Sequence, residues 1–249
     1  MTEKNESRLQ ENAILTHLQG EDRAAAVSDG SIVHFALKQT VYDAEARIKE
    51  VYFPLDSVLS VVTYMDNGMM IEVGTIGREG MSGIPLLMGS DSTSNMSFCQ
   101  VDGDCWKMSA SLFRSLLDRS ETFRKFVNRY LQAYVNMLGQ FAACNRLHSV
   151  YERASRWILM TQDRVGEDQF PLTHEFLATM LGSRRSGVTI AASQLQKAGF
   201  ITYHRGRITV TDRAGLEDTA CECYRLAKSE FDAMLRPAAT LGNGAGAHR

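Results

Sequence analysis

The chain has 249 residues, 44% of them hydrophobic and 22% charged, with a formal net charge of -2. That size suits two modest domains or one large one, and the composition is that of an ordinary globular protein. So small a net charge excludes a generic polyanion binder, and any affinity for nucleic acid must come from locally concentrated charge. No apolar run is long enough to cross a bilayer, and the polar start Met-Thr-Glu-Lys-Asn-Glu-Ser is neither a signal peptide nor an anchor. Cytoplasmic location is therefore expected. Five cysteines without a secretory signal argue against a disulfide framework.

Residues 1–10 read as unstructured and residues 11–29 as a short helical stretch carrying Ile14, Leu15 and Leu18. From Ser31 to Met108 the pattern turns to β, with short runs at 33–37, 50–53, 58–64, 70–74, 97–101 and 104–108. Asp66-Asn67-Gly68 and Asp102-Gly103 carry hairpin chemistry. Many short strands at close spacing predict a small jelly roll. Helix returns at Ser109. Phe123, Phe126, Val127, Tyr130, Tyr134, Met137, Leu138 and Phe141 then recur every three or four residues. Such a stripe can be an ordinary buried face. Its place between a β domain and a C-terminal module favours pairing with a second copy, through Phe126, Tyr130, Tyr134, Met137, Leu138 and Phe141. Another helix is predicted over 149–165, with a hinge near Asn145–His148.

Residues 171–213 carry the most information. Thr173 is a good N-cap for a short helix with Phe176, Leu177, Met180 and Leu181 on its apolar side. Gly182 ends that helix where a positive φ is cheap only for glycine. Ser183 then reads as the cap of a second helix, buried through Val188, Ala191, Ala192 and Leu195. Strand-like runs 200–203 and 208–211 flank a turn at His204-Arg205-Gly206-Arg207. This is the pattern of a winged helix-turn-helix, whose second helix enters a DNA major groove. Thr173, Ser183, Arg184, Arg185, Ser186, Thr189, Arg205 and Arg207 are the expected DNA contacts. Residues 146–213 hold ten Arg and Lys against six Asp and Glu, an excess of four positive charges. Beyond the wing, Ala214–Leu235 reads as one helix and Ala238–Arg249 as an unstructured tail.

The order of these parts resembles the Crp/Fnr family of bacterial transcription regulators, most strongly in Leu172–Val210. Gly182-Ser183-Arg184-Arg185-Ser186-Gly187-Val188 matches the family's turn and recognition-helix start. The resemblance implies an α+β chain. Residues 11–119 would be a double-stranded β-helix (jelly-roll, cyclic-nucleotide-binding-like) domain, 120–145 a dimerisation helix, 146–213 the winged helix-turn-helix and 214–249 a C-terminal helix and tail. It also implies a homodimer on two-fold double-stranded DNA that contacts RNA polymerase. Arg185 falls where the family reads guanine, and Ser186 stands where glutamate is usual. In the stretch that holds cyclic AMP in some members, Ile84 replaces a glutamate and Asn95 or Met96 an arginine. Cyclic AMP control is therefore not expected, and the effector stays unidentified.

No cofactor is expected. No cysteine precedes Cys99, which rules out the family's N-terminal iron–sulfur ligands. Cys221 and Cys223, if on one helix, would point roughly 200° apart. The cysteines accordingly read as small buried hydrophobes, with no metal site. No nucleophile elbow, phosphate loop or His-Glu-x-x-His motif appears, so an enzyme is not expected. A small-molecule-binding β-roll with a vestigial helix-turn-helix is the remaining alternative.

Overall fold

The computed structural model describes residues 6–236. The predicted tail from Ala238 and the first five residues lie outside the described residues. Residues 6–10 are not the loose end their polarity suggested. Arg8 makes ion pairs with Asp104 at 2.9 Å and Asp56 at 3.2 Å, and Leu9 is fully buried. Two 3-10 turns, Leu9–Glu11 and Leu15–His17, lead into α1 (Gly20–Asp29).

Seven strands follow: β1 (Ser31–Phe35), β2 (Thr40–Tyr42), β3 (Glu50–Pro54), β4 (Val58–Tyr64), β5 (Met70–Ile76), β6 (Met96–Val101) and β7 (Gly103–Ser109). They form two antiparallel sheets, in the orders β1-β7-β3 and β2-β6-β4-β5. Val51, Phe53 and Trp106 from the first sheet and Leu59, Val62 and Ile76 from the second share one core. Asp66-Asn67-Gly68 closes the β4–β5 hairpin as predicted, pairing Tyr64 with Met70. Asp102-Gly103 does not make a hairpin. It carries the chain from β6 in one sheet to β7 in the other. Turn chemistry bends the backbone there, but each strand finds its partners elsewhere.

Ser109 caps α2 (Ala110–Arg119), and α3 (Glu121–Leu147) is a helix of 27 residues. The chain then breaks at His148–Ser149, where Ser149 and Glu152 form a reciprocal capping box that starts α4 (Val150–Val165). The C-terminal region continues with β8 (Gln169–Pro171), α5 (His174–Met180), α6 (Arg185–Lys197), β9 (Ile201–His204) and β10 (Arg207–Val210). Its small sheet runs β8-β10-β9. The three-residue β8 was too short to read from periodicity. The single helix expected after the wing is two, α7 (Arg213–Thr219) and α8 (Cys223–Leu235), broken at Ala220–Glu222. Among the described residues no helix is long and apolar enough to cross a membrane.

The aromatic stripe of α3 is taken up inside the chain. Phe126, Tyr130, Tyr134, Met137 and Phe141 are all buried in the chain's own core, and of the six residues read as a dimer seam only Leu138 reaches the surface in part. One side of the helix meets the β domain, where the Tyr134 hydroxyl fills the place a side chain at Gly74 would need. α8 lies along α3, and Arg129 of α3 donates to the carbonyls of Ala233 and Arg236 at 2.6 and 2.8 Å. Periodicity reports that a face is buried without naming what buries it.

The C-terminal region docks on the β2-β6-β4-β5 sheet, which explains why five consecutive β4 residues, Val58–Val62, are buried. The joint contains a polar chain. Trp157 Nε1 donates to Glu72 Oε1 at 2.8 Å, Ser60 Oγ lies 2.6 Å from Glu72 Oε2, and Ser60 Oγ lies 2.8 Å from Gln100 Oε1. Gln100 Nε2 donates in turn to Thr161 at 3.0 Å. Ser60 has one proton for two acceptors. A proton on Glu72 resolves the conflict: Glu72 donates to Ser60, and Ser60 to Gln100. Burial pushes the Glu72 carboxyl up from 4.5 to about 7, outweighing the hydrogen bonds that Ser60 and Trp157 would give its ionised form and the charges of Arg156 and Arg164. The folded chain therefore holds this proton more tightly than the unfolded one, and stability falls as pH rises from about 4.5 to about 7. Glu72→Gln should remove that fall. Its thermal midpoint should rise relative to wild type as pH increases, and parallel pH profiles for the two proteins would refute the assignment.

Candidate nucleic-acid interface

α5 and α6 form the helix pair, joined through Leu181–Arg184. Gly182 has φ 57°, which favours glycine, and it sits close against the Ile71 side chain of β5. Thr173 is the N-cap of α5, its hydroxyl accepting from the Phe176 amide at 3.1 Å. Ser183 does not cap α6. Its hydroxyl donates to the Leu181 carbonyl at 3.3 Å, and Arg184 is the N-cap residue, without a side-chain cap bond. The turn is tight enough that the serine closes it and the helix starts later. Arg185 is therefore the first residue of α6.

The outward edge of α6 presents Arg184, Arg185, Ser186 and Thr189, all exposed, while Val188, Ala191, Ala192 and Leu195 are buried. Arg185 Nε is 3.5 Å from Glu175 Oε2, with side chains 70% and 72% exposed. Such an exposed pair is weak and easily exchanged for another partner. Thr189 Oγ1 is 3.2 Å from His174 Nδ1, and the His174 ring lies 4.7 Å from that of Tyr203. Burial holds His174 below the usual histidine range, with the Arg185 charge adding to the effect. Ile190 is 61% exposed on the same face. Glu175 and His174 were not singled out in the sequence, whereas Ile190 reads there as lying one turn beyond the start of the second helix, unable to make a polar contact.

The wing is the β9–β10 hairpin, with His204 paired to Arg207. Its two central residues, Arg205 and Gly206, have φ of 47° and 77°, as a type I′ turn requires. Arg205 sits exposed at the tip. Arg207 is braced, its Nε donating to Gln169 Oε1 at 3.1 Å. The basic excess of residues 146–213 is only partly a surface: Arg153, Arg156 and Arg164 are buried, and Arg213 binds Asp163 at 2.7 Å.

The Crp-like helix-turn-helix domain family matches residues 152–219. This chain has the Crp/Fnr fold. FixK2 from Bradyrhizobium japonicum superposes with a TM-score of 0.67 at 13% identity, over 77% of this chain and 98% of its own. A CRP-family transcriptional regulator from Thermus thermophilus gives 0.64 at 20% identity, over 76% and 96%. A protein from Eubacterium rectale, described as a transcriptional regulator of the Crp/Fnr family, gives 0.64 at 17%, over 84% and 98%. No curated protein matches the sequence.

Two further places in this Crp-like chain bear on function. A cavity of about 180 Å³ lies between the β domain and α3, bounded by Tyr42, Val73, Ile84, Asn95, Tyr134 and Leu138 among others. Among the described residues, no charged side chain lines it. Asn95 Oδ1 accepts from Thr63 Oγ1 at 2.7 Å, so its oxygen is already engaged. The cysteine reading needs correction as well. Cys221 precedes α8 instead of lying on one helix with Cys223, and the break lets both thiols turn toward Cys144 and His148. These three cysteines are buried, as expected, but Cys221 and Cys223 do not point apart and His148 is not isolated from them.

Thr173 was expected to contact DNA, and its visible work is structural. Thr173→Ala should lower stability by about 1 kcal/mol, the usual cost of losing such a cap, as measured by urea denaturation. An unchanged midpoint would show that the cap bond is dispensable and return Thr173 to the contact set.

Proposed function

We propose that this chain is a sequence-specific, DNA-binding transcription regulator that works as a homodimer on a two-fold operator. The observation that carries this reading is the exposed Arg184–Thr189 edge of α6, with Arg185 at its first residue and weakly held. The N-terminal turn of a recognition helix is where side chains meet base edges in the major groove. A guanidinium there can make a bidentate pair with O6 and N7 of guanine. Ser186 and Thr189 add adaptable polar contacts, and Ile190 supplies an apolar surface suited to a thymine methyl. Arg205, and Arg207 less freely, would meet phosphates from the wing. RNA polymerase is the further partner that a regulator of this type would contact, in the cytoplasm. No catalytic role is proposed.

Arg185→Ala should lower specific affinity roughly ten- to hundredfold, matching a loss of about 1–3 kcal/mol, and relax preference at one guanine per half-site. Arg185→Lys should recover non-specific binding more than specificity, because it restores charge without the fork. Binding-site selection on the three proteins decides. Unchanged preference at every position would move the reading role to Arg184, and absence of any DNA binding by wild type would favour the vestigial alternative.

The dimer seam is better sought on what α3 leaves exposed. Leu131, Val135, Leu138 and Ala142 follow spacings of four, three and four residues, and Val135 is 51% exposed. That is the spacing of a two-helix seam. Val135→Glu with Leu138→Glu should yield a folded monomer by sedimentation, with weakened operator binding. A double variant that stays dimeric would place the interface elsewhere.

The cavity beside this seam supports independence from cyclic AMP. A phosphate entering it would find no cationic side chain, and a buried unpaired charge is strongly unfavourable. Micromolar binding of cyclic AMP by calorimetry would overturn this part of the reading.

A further inference from the structure

The C-terminal end of α3 and the corner between α7 and α8 meet at four side chains that DNA binding leaves unused. Cys144 and His148 are one helical turn apart at the end of α3, and Cys221 and Cys223 flank Glu222 where α8 begins. One donor atom from each of the four lies within 4.8 Å of all the others. Cys144 Sγ is 3.5 Å from Cys221 Sγ, and Cys223 Sγ is 3.6 Å from His148 Nδ1. The three thiols are buried, and the His148 side chain is 17% exposed.

These spacings discriminate between occupants. Tetrahedral Zn–S bonds of about 2.3 Å and Zn–N bonds of about 2.0 Å put neighbouring donors roughly 3.5–3.8 Å apart. An iron–sulfur cube holds its thiolates much farther apart, because metal and sulfide atoms lie between them. Three cysteines and one histidine are also a common donor set of structural zinc sites.

The surroundings suit such an ion. His148 Nε2 lies 3.2 Å from the Glu222 carboxylate, which fixes the proton on Nε2 and leaves the Nδ1 lone pair facing the thiols. Gln140 Nε2 donates to Cys223 Sγ at 3.1 Å. Charge balance is the independent observation. Arg153 and Arg156 are only 7% and 4% exposed, and among the described residues neither makes an ion pair. The Nε of each has no hydrogen-bond partner. Both guanidinium groups lie within electrostatic reach of Cys144, and Arg156 also of Glu72. A buried cation needs a compensating anion. Zinc with three thiolates and a neutral imidazole carries one net negative charge.

We propose that Cys144, His148, Cys221 and Cys223 bind one Zn²⁺, which clamps the end of α3 to the α7–α8 corner. Binding releases the three thiol protons to solvent, with no change of oxidation state. The clamp ties the helix that follows the wing to the helix that carries the β domain. α8 is thereby held along α3, covering part of its apolar face. This inference is independent of whether Arg185 reads bases.

The test uses the full chain, expressed with added zinc and purified under reducing conditions without chelator. Elemental analysis should find one zinc per chain. Cobalt replacing it should give the intense visible bands of a tetrahedral site and a thiolate charge-transfer band. Cys221→Ser and His148→Ala should lose stoichiometric metal, and His148→Cys should keep it. Stripping the zinc should speed amide hydrogen exchange in α8 more than in the β domain. A reduced wild-type protein that takes up neither zinc nor cobalt would overturn the proposal. So would full zinc content in Cys221→Ser, iron with acid-labile sulfide, or a Cys144–Cys221 disulfide in the protein as isolated. Should the variants fail to fold, the wild-type metal content and cobalt spectrum decide alone.

Discussion

The burial of α3 on two sides is the constraint from which the other contacts follow. Tyr130 is fully buried and donates from its hydroxyl to the Met81 carbonyl at 3.2 Å, while Tyr134 presses its hydroxyl against Gly74. His17 from the N-terminal segment stacks on Phe126 at 3.6 Å, and Arg156 of α4 lies over Phe141 at 3.9 Å. The N-terminal turns, the β domain, α4 and α8 therefore all touch one helix. Burying a large apolar side chain contributes about 1.5–3 kcal/mol, so this row of aromatic residues fixes the relative positions of everything packed on it.

The second joint is of a different kind. Where α4 and α5 meet the β sheet, Phe176 packs edge-on to Phe98 and Trp157, while Glu72, Ser60, Gln100 and Thr161 form a closed polar chain. Apolar contact would tolerate small slips, whereas a buried chain in which each donor has one acceptor permits a single arrangement. The cavity wall includes Tyr134 and Leu138 of α3 and Val73 of β5, next to Glu72. The cavity, the seat of α3 and the joint to the C-terminal region thus share adjacent residues on one strand and one helix.

Legibility differed between the two halves for a physical reason. The helix-turn-helix is built from short-range rules. Thr173 caps within its own first turn, Gly182 takes a positive φ in the turn itself, and the Arg205-Gly206 hairpin closes on neighbours in sequence. In the β half, short β-branched and aromatic runs marked strands, but Asp102-Gly103 could not reveal that β6 and β7 belong to different sheets, because pairing joins distant residues. Nor could β4 show by alternation that both its faces are covered, since the cover comes from helices about a hundred residues later.

The sequence by itself determined the class of fold, the winged helix-turn-helix and the side chains that face outward from its second helix. Those follow from periodicity, capping and turn chemistry, which act over a few residues. Only the tertiary structure decided what covers each apolar face and which ligating groups meet. It turned the aromatic stripe of α3 inward and left Leu131, Val135 and Leu138 nearer the surface. It placed Arg153, Arg156 and Arg164 inside. It also brought Cys144 and His148 to Cys221 and Cys223 across more than seventy residues of chain, because the break at Ala220–Glu222 lets α8 fold back along α3.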